Sequence, residues 1–189
     1  MNTTRDAIID EGLSQAVVFG LDGISIGGLA SSLNLSKSGL FAHFKSKEAL
    51  QLAVLDEAIE RFARQVVAPA LKAATPIQKL DRLFLGYLDW IRGDRQTGGC
   101  LFITAIQEFD ERPGPVRDRL AASQMAWRAT LEGVTREAIA AGELSPKPGP
   151  NVFVFELIGI ALAYQHSQKL FRDRQARALA EKAFAHLKA

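Results

Sequence analysis

The stretch that decides the fold is Ser25-Ile26-Gly27-Gly28-Leu29-Ala30-Ser31-Ser32-Leu33-Asn34-Leu35-Ser36-Lys37-Ser38-Gly39-Leu40-Phe41-Ala42-His43-Phe44-Lys45-Ser46-Lys47-Glu48-Ala49-Leu50. It reads as two short helices, a tight turn and the start of a third helix. Ser25, Ser36 and Ser46 sit where N-caps are expected, because a serine oxygen accepts a bond from an otherwise unpaired helix N–H. The predicted helices are Ile26 to Leu33, Lys37 to His43, and one opening at Lys47. Asn34 falls at the turn, where a left-handed backbone is wanted and asparagine tolerates it. Ala30 is small enough for a close crossing, and Leu29, Leu33, Leu35 and Leu40 supply a small core. This is the pattern of a helix-turn-helix, whose second helix enters a DNA major groove.

The local charge agrees with that reading. No acid stands between Gly23 and Lys47, whereas Lys37, Lys45 and Lys47 are basic and His43 lies among them. Lysines so placed pair with phosphates and set the register of a protein on the duplex. Residues 1 to 50 as a whole are slightly acidic, since Asp6, Asp10, Glu11, Asp22 and Glu48 outnumber Arg5 and the three lysines. The formal net charge of +2 neither demands nor excludes a nucleic-acid partner.

The run Leu29-Ala30, Leu33 to Phe44 and Ser46 to Leu50 resembles the DNA-binding domain of TetR-type (tetracycline-repressor-like) transcriptional regulators. The aromatic-x-His-Phe-x-x-Lys core, here Phe41 to Lys47, is specific enough to set it apart from a generic helix-turn-helix. The resemblance covers the first third of the chain; beyond it the likeness is one of helical architecture. It implies a homodimer, double-stranded DNA as one partner and a small-molecule effector of unknown identity as another. Residues expected at DNA are Ser25, Ser36, Lys37, Ser38, Gly39, Phe41, His43 and Lys47. A solvated helix face is the plain alternative for the side chains of the second helix. Lys47 is expected to meet a phosphate with both its N–H and its ammonium, aided by the helix N-terminus. Two departures from the family pattern weaken the grip. Phe41 stands where most members carry tyrosine, losing a hydroxyl bond of about 1 kcal/mol. Gly27 stands where many place a longer polar side chain.

The remainder predicts an all-α chain of about nine helices. Strand alternation is not sustained anywhere. A first helix is expected from Thr3 to Gly20, with Ile8, Ile9, Leu13, Ala16, Val17 and Phe19 available for the core. The Gly20-Leu21-Asp22-Gly23 turn follows. The helix from Lys47 runs toward Ala74, with a kink or end expected just before Pro69, which removes an internal hydrogen bond. Thr75-Pro76 opens another helix with a broad apolar face. Gly98-Gly99 breaks the chain before a short apolar helix, Cys100 to Phe109. A turn at Arg112 to Pro115 leads to a long helix ending near Ala141. A proline loop from Ser145 to Pro150 precedes an apolar helix, Val152 to Phe171, and a final one, Asp173 to His186. The expected domains are a helix-turn-helix domain over 1–48 and a helical ligand-binding and dimerisation domain over 49–189.

By resemblance the body holds an apolar or amphipathic ligand. Candidate lining residues are Phe62, Phe84, Tyr87, Leu88, Ile91, Phe102, Ile106, Trp127 and Phe155. Aromatics at helical spacing also serve as plain core, so both readings stand; Tyr87 and Trp127 are singled out because each carries a polar atom that wants a partner when buried. The dimer interface is expected on the last two helices, with Phe153, Leu157, Ile160, Ala161, Tyr164, Gln168 and Phe184 as candidates. Glu156, in that apolar helix, suits a cation, a ligand or a dimer seam.

Cys100 is the sole cysteine. It excludes an intrachain disulfide and suits a reducing cytoplasm, with a buried structural role or a redox role open to it. The three histidines, His43, His166 and His186, show no ligand spacing, and no phosphate loop or nucleophile elbow occurs. The sequence therefore predicts no enzyme, no cofactor and no metal. The leading expectation is a homodimeric repressor released from its operator by a small molecule. The alternative is a helical small-molecule-binding protein whose DNA binding is weak or lost.

Overall fold

A computed structural model of the chain describes residues 4–93 and 100–189. The described residues form nine helices and no strand. They are α1 (Thr4–Phe19), α2 (Ile26–Ser32), α3 (Lys37–His43), α4 (Lys47–Phe62), α5 (Pro76–Arg92), α6 (Leu101–Phe109), α7 (Pro115–Ala140), α8 (Pro150–Lys169) and α9 (Ala176–Lys188). The expected break at Gly98-Gly99 lies outside the described residues.

Helix α4 does not stop at Phe62. It passes into a π-helical turn, Ala63–Val67, and ends in a short segment, Ala68–Ala70, which contains Pro69. The sequence predicts a disturbance just before Pro69, and the π turn is the form it takes: proline has no N–H to give, and a wider turn absorbs the misfit. At the start of α5, Thr75 Oγ1 accepts the N–H of Gln78 at 3.4 Å. The N–H of Ile77 donates to Glu143 at 2.8 Å, so one otherwise open helix-end donor is satisfied from the loop after α7.

The residues cluster into two compact units, each with its own core. One comprises Met1–Arg61 and Gly93–Ser123; the other comprises Phe62–Arg92 and Gln124–Ala189. A sequence cut at 48/49 falls inside α4.

In the first unit the core is built from Ile8, Leu13, Ala16, Leu21, Leu29, Leu40, Leu50, Val54 and Leu55, all buried. Phe19, expected inside, is 69% exposed at the last residue of α1, although its spacing from Ile8 and Ala16 puts it on their side of the helix. Two ion pairs on the flank of α4 join Arg61 to Asp10 and to Glu57. In the second unit α8 packs against α5 and α9. Leu80, Leu83, Phe84, Leu88 and Ile91 of α5 are buried there, and Phe84 stacks on Phe184 of α9 with ring centroids 4.1 Å apart.

The α1–α2 turn is the most constrained loop of the first unit. Gly20 has φ +85° and is buried. A Cβ built on it would lie 1.7 Å from an oxygen of Glu108. Any side chain here meets both the left-handed backbone penalty and the Glu108 carboxylate. Gly20→Ala is expected to lower stability by about 1–3 kcal/mol, read as a fall in urea midpoint at unchanged slope.

Candidate functional site

The helix-turn-helix is assembled by its serines. Ser25, in extended conformation, accepts the N–H of Gly28 at 3.0 Å and so starts α2. Ser36 accepts the N–H of Gly39 at 3.0 Å and starts α3. Ser46 accepts the N–H of Ala49 at 3.0 Å and starts α4. Each bond satisfies one donor that the first turn of a helix leaves open. Between α2 and α3, Asn34 takes φ +53°, and Leu35 N–H closes the turn onto the Ala30 carbonyl at 2.8 Å. Leu29, Ala30, Leu40 and Phe44 are buried beneath this pair, while Leu33 and Leu35 are half-buried.

That packing leaves the outer side of α3 in solvent. Ser36, Lys37, Ser38, Gly39, Phe41, Ala42 and His43 are all exposed, as is Ser25 at the start of α2. Phe41 shows half of its surface, so the ring stands beside the recognition face and not in the core. Gly27 has a visible use: the Lys37 stem passes over it, 3.5 Å from where a Cβ would lie. The space that a longer residue at 27 would take is filled by a cation from α3. Arg5 lies in α1 with its guanidinium 5.3 Å from the centre of the Phe44 ring, an arrangement that favours the cation.

Lys47 is exposed, yet its ammonium is engaged within the chain. It donates to the Asp22 carboxylate at 2.9 Å and to the Asp22 carbonyl at 2.5 Å. Arg112 donates to the other carboxylate oxygen of Asp22 at 2.7 Å. Hydrogen bonds from Lys47 and Arg112 hold the Asp22 carboxyl down at about 2, against an ordinary 3.8. Nearby, Glu108 accepts the N–H groups of Leu21 at 2.8 Å and Asp22 at 3.2 Å, and Gln51 donates to the Leu21 carbonyl at 3.0 Å. Sequence reasoning missed this network. The signal was an acid in a turn two dozen residues from a lysine, which means nothing until the fold closes the gap.

In the second unit the candidate ligand residues divide. Phe62, Tyr87 and Trp127 are buried and meet edge to face, with ring centroids 5.9 Å apart for Phe62–Tyr87, 5.0 Å for Phe62–Trp127 and 5.5 Å for Tyr87–Trp127. Trp90 joins at 5.3 Å from Phe62. The indole N–H of Trp127 is buried and has no hydrogen-bond partner among the described residues. Phe84, Leu88 and Ile91 are wholly buried on α5. Phe102 and Ile106 belong to the first unit, where Phe102 is buried and Ile106 is exposed. Phe155 is 76% exposed on α8 and does not join the aromatic group.

The residues expected at a dimer interface also divide. Phe153, Leu157, Ala161, Tyr164 and Phe184 are buried within their own unit. Phe153 of α8 meets Phe184 of α9 edge to face, with ring centroids 6.4 Å apart. Burial pushes the Tyr164 hydroxyl up, with Arg177 opposing the shift. Ile160 and Gln168 are half-buried, and the Gln168 side-chain oxygen is buried without a hydrogen-bond partner among the described residues. The apolar residues that α8 does present are Val152, Phe155 and Leu162 with Gly159 between them, a spacing of one helix face. Leu179 of α9 is exposed as well. Glu156 lies exposed beside that stripe, and Cys100 is buried at the start of α6. Among the described residues no helix is long and apolar enough to cross a membrane.

An all-α chain with a capped helix-turn-helix near its N-terminus and a separately cored helical unit defines a class, the helical DNA-binding regulators. Within that class the assignment is specific. Residues 8–54 match the family model described as bacterial regulatory proteins, tetR family, and residues 76–184 match the tetracyclin repressor-like C-terminal domain. The chain belongs to the TetR family. It is 25% identical over 188 residues to the HTH-type transcriptional regulator TcmR of Streptomyces glaucescens, covering 95% of this chain and 80% of that protein. It is 24% identical over 143 residues to the HTH-type transcriptional repressor ComR of Escherichia coli, covering 75% of this chain and 68% of that protein. The fold is similar to that of AibR solved in complex with isovaleryl coenzyme A and operator DNA, with a TM-score of 0.79, 21% identity and 97% of each chain covered.

The Asp22 network has a pH signature. A carboxyl depressed in the folded state adds stability that is full above its unfolded value near 3.8 and is lost as pH falls through about 2. Asp22→Asn should therefore flatten the stability curve between roughly pH 4 and 2. The loss will be small because the group is partly exposed and screened. Chemical denaturation of both chains across that window measures it.

Proposed function

We propose that this protein is a homodimeric DNA-binding transcriptional regulator, of the repressor type and acting in the cytoplasm, whose hold on an operator is altered by a small apolar or amphipathic ligand. The observation that carries the reading is the helix-turn-helix itself: α3 is capped, seated on Leu29, Ala30, Leu40 and Phe44, and presents Lys37, Ser38 and His43 outward. Family membership and the operator-bound relative of the same fold support it. Phe62, Tyr87 and Trp127 support the ligand side, because a buried indole N–H without a partner leaves a donor for a ligand to satisfy, at a cost of about 1–3 kcal/mol until it is met. The ligand acts by population shift, binding unequally to the DNA-competent and DNA-incompetent arrangements of the dimer.

Binding to the DNA upstream of the protein's own gene, titrated by anisotropy at two salt concentrations against random competitor, tests the reading. Tight, salt-sensitive binding that survives the competitor is expected. Lys47→Ala should weaken binding to all sequences alike, whereas Lys37→Ala should also alter sequence preference. Parent-like binding by both variants would rule out this placement of the recognition helix.

For the dimer, the exposed stripe of α8 replaces the inward residues as the proposed surface. Phe155→Glu should shift the chain from dimer to monomer in sedimentation and weaken operator binding, since two half-sites are then no longer bridged. Folding should be spared, because Phe155 is mostly in solvent already.

A further inference from the structure

The helix-turn-helix carries one acid poised against its own phosphate-binding lysine. Asp22 lies in the α1–α2 turn, and Lys47 opens α4. The Lys47 ammonium makes two bonds to this one residue, at 2.9 Å to the carboxylate and 2.5 Å to the carbonyl. In that position its charge is partly offset by the carboxylate, which stands as a competitor to any DNA phosphate that approaches the same ammonium. The carboxylate is shared. Oδ1 accepts from Lys47 and, at 3.5 Å, from Gln51, and Oδ2 accepts from Arg112 at 2.7 Å. Arg112 comes from the turn after α6, far away in sequence. The other nearby acid, Glu108, is spent on two backbone N–H groups of the turn. Asp22 is thus the counter-ion of Lys47, and Arg112 draws on the same negative charge.

We propose that Asp22 competes with DNA phosphate for Lys47, and that Arg112, bonded to the opposite carboxylate oxygen, sets how strongly it competes. The proposal rests on the DNA-binding reading above and adds an internal control to it. Both ion pairs are exposed, with side-chain accessibilities of 46% and 40% for Lys47–Asp22 and 58% and 40% for Arg112–Asp22. Exposed pairs are weak and exchange readily, which is what a competitor needs. Arg112 stands three residues after the end of α6, so a displacement of that helix end would change how much of the Asp22 charge is left to hold Lys47.

The test needs neither the operator nor the ligand. Full-length protein is titrated with mixed-sequence duplex DNA by anisotropy over a series of salt concentrations, with thermal melts to verify folding of each variant. Asp22→Asn should tighten binding about two- to fivefold, the size of one exposed ion pair, and steepen the salt slope by about one. The gain should vanish in a Lys47→Ala background. Arg112→Gln should act in the opposite direction, weakening binding about twofold, and should have no effect once Asp22 is Asn. A gain that persists without Lys47 would mark a general charge effect and overturn the proposal, as would unchanged or weaker binding by Asp22→Asn. An Arg112 effect that survives Asp22→Asn would mean direct contact with DNA and would overturn the role given to Arg112. Should Asp22→Asn fail to fold, Arg112→Gln decides alone: tighter or unchanged binding overturns the proposal. Failure of the parent to bind duplex in a salt-sensitive way would instead bring down the DNA-binding reading itself.

Discussion

The Glu108 carboxylate, accepting the N–H groups of Leu21 and Asp22, is the constraint on which the first unit depends. Those two amides belong to a four-residue turn that has to reverse the chain between α1 and α2. A turn so tight leaves backbone donors facing inward, and an unpaired buried N–H is costly. Glu108 comes from α6, far along the sequence, and it fits only because residue 20 has no side chain and a positive φ. Gln51 completes the turn by donating to the Leu21 carbonyl. With the turn fixed, Leu21 and Ile24 are buried and the entry to α2 is set. The placement of α3, and with it of Lys37 and His43, follows from there.

The two units use different physics. The helix-turn-helix is small, with short helices that would be marginal alone, and it relies on serine caps and a few leucines. The second unit relies on aromatic bulk: Phe62, Tyr87, Trp90 and Trp127 meet edge to face, and Phe84 stacks on Phe184. Edge-to-face pairs bring positive ring edges to negative faces, which adds to the burial of apolar area. The π turn after Phe62 falls beside this group in sequence, and π turns tend to mark functional places because they trade regular hydrogen bonding for a specific side-chain direction. The unpartnered Trp127 N–H fits that reading.

The helices, their starts and their inward faces were legible from the chain. Ser25, Ser36 and Ser46 announce three N-termini, Asn34 announces the turn, and Ile8, Ile9, Leu13 and Ala16 mark the inner side of α1, where all four are buried. Which face of α8 stays outward was harder to read. A helix apolar on more than one side does not declare which side its own fold will consume. α5 and α9 take Phe153, Leu157, Ala161 and Tyr164, and the face bearing Phe155 and Leu162 is left outward. Phe19 was misplaced for a related reason: hydrophobicity marks what is worth burying, while the geometry of the neighbours decides what is buried.

By itself the sequence determined the all-α class, the helix-turn-helix and the family, because caps, turn residues and the Phe41-to-Lys47 motif are local signals that act over a few residues. Packing alone gave Lys47 and Glu108 their hydrogen-bond partners and brought Trp127 against the rings of Phe62 and Tyr87. An ion pair between Asp22 and both Lys47 and Arg112 joins three separate stretches of chain, and a pairing across such distances exists only once packing has brought those stretches together.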